Sequence, residues 1–398
     1  MDRRLQQHRS GAEVADAAVA RRRYNAVVSA PATKATSSLD PARYRALVRP
    51  AGARHIETID QRALPHSVVA TKIAYPETAA QAIREMWVRG APLIGAVGAY
   101  GLALALDRDP SDTGLSAAYQ FLDAARPTAV NLRWALDRVR GAVIGLPPAQ
   151  RADADWHEAD SIAAEDVAIN HAIGIHGLEL LRTIARRKSA PVQIMTHCNA
   201  GALATCGWGT ATAPIFLAHE AGIPVHVWVS ETRPRLQGAH LTAWELAARG
   251  VPHTMFVDSA GGLLMRRGDV DIVIVGADRV ASNGDVCNKI GTYGKALAAA
   301  DNDVPFYAAV PSPTFDFALA SGEAIPIEAR DAEEVLSVCG SDSRAMPAAL
   351  RLAPPGTRAV NYAFDITPAR LVAGLVTERG IASATQAGIR AMFPERAE

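Results

Sequence analysis

The segment Ile272-Val273-Ile274-Val275-Gly276-Ala277-Asp278-Arg279 decides how the second half of the chain is read. Its four leading residues are β-branched, with no polar residue alternating between them. Such a run suits a strand buried on both faces, and that requires a sheet covered by helices on each side. Four more short runs flank it: Val192–Met195, Val225–Val229, Thr254–Val257 and Phe306–Val310. Helical patterns lie between them over Thr210–Ala221, Leu241–Arg249, Gly261–Arg267 and Thr292–Ala299. Strands alternating with helices predict βαβ units and an α/β fold, a Rossmann-like doubly wound parallel sheet across residues 188–398. Upstream, helical text dominates: Gly95–Leu106, Ala129–Val143 and Glu165–Ile184, preceded by strand-like Ser67–Ala70 and helix-like Thr78–Trp87. A smaller, mostly helical domain is expected over 46–187. Residues 1–45 are polar, with an Ala, Thr, Ser and Pro stretch from Ser29 to Asp40, and are expected to form a mobile leader.

Bulk properties exclude several classes of function. The 398 residues hold 41 Lys plus Arg against 41 Asp plus Glu, which leaves no basic field for nucleic acid or an anionic membrane. No apolar run has the length of a membrane span. Cys198, Cys206, Cys287 and Cys339 form no CxxC pair and have no zinc-ligand spacing, so reduced thiols in a cytoplasm are expected. The charged start lacks the apolar core of a secretory signal. The histidines form no metal constellation, and neither a Walker A sequence nor GxGxxG is present, so no metal, nucleotide or nicotinamide cofactor is expected.

In a doubly wound sheet, ligands bind beyond the carboxyl ends of the strands. Polar residues gather there. Cys198 follows the first run; a helix start and a protonated His197 would favour negative charge on its sulfur. Its inert reading is a small buried hydrophobe. Asp278 follows the apolar run, where lost solvent would fit it for acid or base work. Its inert readings are a helix cap and a partner for Arg279. Arg89 precedes Gly90, Ala91 and a helix, a place for phosphate, and Arg126-Pro127-Thr128 repeats the arrangement. Lys289 is a third candidate cation. Each of these helix-start arginines, taken singly, can also be solvated and idle.

Read together, the segments resemble the methylthioribose-1-phosphate isomerase family. The matching text is VRGAPLIGAVGAYGLALAL, RPTAVNLRWAL, THCNAGALATCGWGTATAPI, SETRPRLQGAHLTAWEL, DSAGGLLM, VIVGADRVASNGDVCNKIGTYGKALAA, VPSPTFD and AFDITPARLVAGLVTERG, in order from about Ile56 to Gly380. The resemblance implies a catalytic pair, Cys198 and Asp278. It implies substrate contacts from Arg89, Gly90, Ala91, Arg126, Gln237, Asn288 and Lys289. It further implies a homodimer, a sugar-phosphate substrate and a place in methionine salvage. The reaction turns an aldose 1-phosphate into a ketose 1-phosphate without a cofactor. It needs an acid for the ring oxygen, and either a base at C2 or a dry cavity for hydride transfer. The same fold is shared with regulatory subunits of a translation-initiation exchange factor, and with isomerases of 5-deoxyribose 1-phosphate and ribose 1,5-bisphosphate. A regulatory relative would be expected to lack Cys198 and Asp278 together. No cation stands out for a second phosphate, so an apolar pocket with no paired cation is expected around the sugar's 5-position.

Overall fold

The structure, a computed structural model, describes residues 45–127, 129–341 and 347–396. All but the last residue of the expected leader lies outside them. Strands β1 (Leu47–Val48), β2 (Ile56–Ile59) and β3 (Ala70–Ile73) form a small antiparallel sheet. The third strand lies later than the expected Ser67–Ala70. Its register pairs Ile56 with Ile73, both fully buried, while Val68 stays exposed. Burial, not local β-propensity, sets the boundary. Helices follow over Pro76–Arg84, Ala91–Leu106, Asp112–Asp123, Val130–Val143 and Pro148–Ala185. Thirteen of the sixteen residues of Ala91–Leu106 are buried, as a helix apolar on every side requires.

The 38-residue helix Pro148–Ala185 joins two cores. Trp156, Ala159 and Ile162 pack with the upstream helices; Ile173, Leu178 and Leu181 pack beneath the main sheet. That sheet contains β4 (Val192–Thr196), β5 (Val225–Ser230), β6 (His253–Phe256) and β7 (Ile272–Val275). After β7 the chain makes β8 (Arg279–Ala281) and β9 (Val286–Lys289), then β10 (Phe306–Ala309) and β11 (Phe315–Asp316). The remaining strands are β12 (Ser337–Ser341), β13 (Pro347–Arg351), β14 (Phe364–Thr367), β15 (Gly374–Thr377) and β16 (Gly380–Ala382). The main sheet runs β16-β15-β10-β7-β4-β5-β6, parallel throughout except for the edge strand β16. A second sheet, β11-β8-β9-β14, stands at its rim, and β12 pairs with β13. The fold is mixed α/β with a largely parallel sheet. The five expected strands fall within one residue of β4, β5, β6, β7 and β10.

The uninterrupted apolar run in β7 has a direct cause. Ile272 and Ile274 join one buried cluster and Val273 and Val275 another, so both faces of the strand are covered. Strands β4 and β7 are neighbours, yet the chain leaves β4 toward β5 and β6, and leaves β7 toward β10 and β15. Their connections therefore part at the carboxyl ends, and a crevice opens there.

Close packing of the long helix holds this arrangement. A Cβ on Gly177 would lie 2.4 Å from the Pro214 ring, on the helix Thr212–Glu220 that follows the crevice loop. Overpacking of this kind costs about 1–3 kcal/mol. Gly177→Val should lower the melting temperature in thermal denaturation; an unchanged value would mean that the helices separate without penalty.

Candidate active site

A cavity of about 750 Å³, open to solvent, lies at the ends of β4 and β7. Cys198, Asp278, Arg89, Gly90, Ala91, Arg126, Gln237, Asn288 and Lys289 all line it. They come from both halves of the chain, so the cavity gathers every residue the sequence singled out.

Cys198 lies two residues beyond β4 in the left-handed region, at φ +64°. The expected helix start behind it is absent: a short 3-10 turn, Ala202–Ala204, follows, and the next α-helix begins at Thr212. The cysteine N–H instead donates to Thr232 Oγ1 at 2.8 Å, and its carbonyl accepts from Thr242 Oγ1 at 2.6 Å. Arg89 donates to the Cys198 sulfur at 3.9 Å, and to the Asn199 carbonyl and Oδ1 at 2.9 and 2.7 Å. The expectation of a protonated His197 is corrected. Burial, with the Lys295 cation beside it, pushes this histidine down to about 3. Its Nε2 stands 2.8 Å from the Ile290 carbonyl, which fixes the proton there. The positive charges near the sulfur belong to Arg89 and Lys289.

Asp278 follows β7 and leads into β8, so it caps no helix; its N–H donates to the Cys287 carbonyl at 2.9 Å. Burial raises its carboxyl above the ordinary value, opposed by Lys289, Arg126 and Arg89. Burial likewise lowers Lys289, opposed by Cys198 and Asp278. The Lys289 ammonium donates to the Ala363 carbonyl at 2.9 Å and lies 4.5 Å from the Phe364 ring centre. Asn288 is buried and donates to Thr292 Oγ1 at 3.0 Å. Gln237 is buried too, and its Oε1 has no partner among the described residues, which leaves an acceptor for a ligand hydroxyl. Gly90 caps the helix Ala91–Leu106 at φ +96°, and a Cβ there would meet the Ala204 carbonyl at 2.4 Å. Only glycine allows that approach, and it leaves the first helical turn open toward an anion.

Residues 87–384 match the initiation factor 2 subunit family. A methylthioribose-1-phosphate isomerase of Brucella anthropi is 57% identical over 346 residues, 86% of this chain and 95% of that protein. The crystal structure of 5-methylthioribose 1-phosphate isomerase from Pyrococcus horikoshii superposes with a TM-score of 0.78 at 37% identity, covering 89% of this chain and 98% of that one. The translation initiation factor eIF-2B, subunit delta, from A. fulgidus gives 0.73 at 36% identity, covering 87% and 98%. The chain belongs to the initiation factor 2 subunit family. Its likeness to the methylthioribose-1-phosphate isomerases extends over most of its length.

For a family member of this kind, the cavity holds more charge than the sequence suggested. Arg235 and Arg330 also line it, two cations that the sequence reading did not single out. Both are matched by acids: Arg235 meets Glu334 at 2.7 Å, and Arg330 meets Glu334 at 2.6 Å and Glu328 at 2.9 Å. Glu328 also meets Arg126 at 3.3 Å. Arg126, Arg235 and the segment 328–334 are far apart in sequence, and no periodicity marks them. A second hollow adjoins the cavity, with Ile94, Ala129, Val130, Ile325 and Pro326 on its apolar side and Arg126, Asp278 and Arg279 on its polar side. Among the described residues, no group of three or more His, Cys, Asp or Glu side chains is arranged to hold a metal ion. Nor is any helix long and apolar enough to cross a membrane.

The state of His197 is directly measurable. Nitrogen NMR should show a neutral ring with its proton on Nε2 from about pH 5 to 8, where an ordinary histidine titrates. A midpoint near the ordinary value would restore a cationic neighbour to Cys198.

Proposed function

We propose that the chain is an isomerase that converts 5-methylthio-α-D-ribose 1-phosphate into 5-methylthio-D-ribulose 1-phosphate, in methionine salvage. One observation carries this reading. Cys198 and Asp278, leaving neighbouring strands at the crevice, face a single cavity that also holds Arg89, Arg126 and Lys289. The named relatives support it, and the presence of both reactive groups favours an enzyme over a regulatory subunit.

The phosphate sits on the anomeric oxygen, so the ring cannot open as a free hemiacetal does. Asp278, its carboxyl raised above the ordinary value by burial, donates a proton to the ring oxygen as the bond from that oxygen to C1 breaks. Cys198, as thiolate beside Arg89, takes the C2 proton, and the electron pair forms an enol phosphate between C1 and C2. The Asp278 carboxylate then takes the C2 hydroxyl proton while the thiol returns its proton to C1. Both groups end as they began, and hydrogen has moved within the substrate, so no redox cofactor is consumed. Arg89, Arg126, Lys289 and the main-chain N–H groups of Gly90 and Ala91 hold the phosphate. Gln237 and Asn288 meet the sugar hydroxyls. The apolar side of the adjoining hollow, Ile94, Val130 and Ile325, receives the methylthio group, where each buried CH₂-sized unit contributes about 0.8 kcal/mol.

The same reading assigns residues 46–187 to a mostly helical domain and 188–398 to a Rossmann-like, doubly wound catalytic domain. It places the enzyme in the cytoplasm, in keeping with its free cysteines. It also makes the enzyme a homodimer, which light scattering at micromolar concentration should show; a monomer alone would reject that assembly.

Purified protein should isomerise methylthioribose 1-phosphate. Cys198→Ala and Asp278→Asn should each lower kcat by about 10²–10⁴-fold or more while circular dichroism is unchanged. Substrate deuterated at C2 should lose label to water during turnover. Complete retention of label at C1 would replace the enol with a hydride shift, and a variant with normal kcat would remove its residue from the reaction.

A further inference from the structure

Glu245 lies outside the cavity lining, yet its carboxylate is directed at the loop behind Cys198. It is buried, on the helix Ala243–Ala248 that continues the π-helical turn Gly238–Thr242. One oxygen accepts from the Leu203 N–H at 2.6 Å and from Asn199 Nδ2 at 3.4 Å; the other accepts from the Ala202 N–H at 3.1 Å. Gly201 makes room, since a Cβ there would lie 1.8 Å from the carboxylate. A solvated surface glutamate needs no such clearance.

The second link is Asn199. Its Nδ2 donates to Thr242 Oγ1 at 3.2 Å as well as to Glu245, and its Oδ1 accepts from Arg89 at 2.7 Å. Flipping the amide would set oxygen against the carboxylate and NH₂ against the guanidinium, both repulsive. The carboxylate therefore fixes which end of the amide faces Arg89. Arg89 in turn reaches the Cys198 sulfur.

We infer that Glu245 is a positioning residue of this site: it clamps the loop after Cys198 and, through Asn199, sets the Arg89 guanidinium beside the sulfur. The assignment deepens the proposed isomerase reading and rests on it for the role of Cys198. An arginine has a long flexible stem, and holding its planar fork in one place requires fixed acceptors. Asn199 supplies two of them, its carbonyl and its Oδ1. Burial pushes the Glu245 carboxyl up to about 7, opposed by hydrogen bonds from Leu203, Asn199 and Ala202 and by the Arg249 cation. A carboxylate kept out of water in this way is retained for what it holds.

The test uses two variants of the full chain and two readouts. Glu245→Gln keeps the shape, but in either flip an NH₂ meets an N–H. Asn199→Ala leaves Glu245 bound to Ala202 and Leu203 and keeps the main-chain carbonyl that Arg89 meets, but removes the amide that joins Glu245 and Thr242 to Arg89. The first readout is kcat, expected to fall by about 10- to 100-fold in both variants, the scale of a misplaced catalytic contact. The second is alkylation of Cys198, located by peptide mapping, with anionic iodoacetate and neutral iodoacetamide. The ratio of the two rates reports positive charge beside the sulfur. It should drop by about fivefold, the factor for two unit charges 4 Å apart in water. A loss of melting temperature with kcat and the reagent ratio both within about twofold of wild type would make Glu245 a loop anchor only and overturn the assignment. If Glu245→Gln does not fold, Asn199→Ala decides by the same criteria. A wild type inactive on methylthioribose 1-phosphate would sink the proposed substrate instead, because the reagent ratio needs no substrate.

Discussion

Asp278 and Lys289 line one cavity, and each lessens the other's cost of being there. Burial pushes the aspartate toward its neutral acid and the lysine toward its neutral amine. Each opposes the shift in the other, with Arg89 and Arg126 added on the cationic side for Asp278. The balance leaves a carboxyl that can give a proton and cations that can hold an anion. Such a balance depends on a rigid scaffold, since moving either group away would remove the opposite charge that supports its partner.

The scaffold supplies that rigidity through topology. Asp278 and Lys289 are eleven positions apart, and the chain between them turns back as the β8–β9 hairpin. The hairpin ladder pairs Arg279 with Cys287, so Asp278 and Asn288 emerge side by side at its open end. Strand β14 continues the same sheet and pairs Phe364 with Lys289, which lays the ring over the ammonium. Cys198 arrives independently, on the neighbouring strand β4. Two loops that never meet in sequence are thus brought together by the single adjacency of β4 and β7.

How much of this was legible depends on whether burial left a periodic trace. The main strands did, because an apolar run such as Ile272–Val275 is demanded by two covered faces. The rim sheet did not: β8, β9 and β14 are three or four residues long and carry Arg279, Asn288, Lys289 and Asp365, polar residues that read as loop. The catalytic candidates were legible as residues following strands, and the family resemblance joined them into one set. Three features were not. The neutrality of His197 comes from burial first and then from Lys295, which is remote in sequence. The extra cation Arg235 is paired with Glu334, about a hundred positions away, in a segment where Arg330 meets Glu328 and Glu334. Glu245 sits in helical text that has no feature marking its direction.

Solved structures of an isomerase and of an initiation-factor subunit both superpose on this chain at similar identity. Fold likeness therefore cannot choose between chemistry and regulation. The choice turns on local conditions that the fold permits but does not require: a thiol in left-handed backbone beside a guanidinium, a carboxyl raised by burial, and a glycine helix cap open to an anion. The backbone at Cys198 is the most demanding of these. A non-glycine residue at positive φ persists only where its surroundings hold it. Here Thr232 takes the N–H and Thr242 binds the carbonyl, so the main chain on both sides of the sulfur is fixed by hydroxyls from the β5 loop and the π-helical turn. A chain with no use for the thiol would have little reason to keep both hydroxyls there. Both hydroxyls bind main chain, so they hold the loop in the one conformation that turns the sulfur beside Arg89.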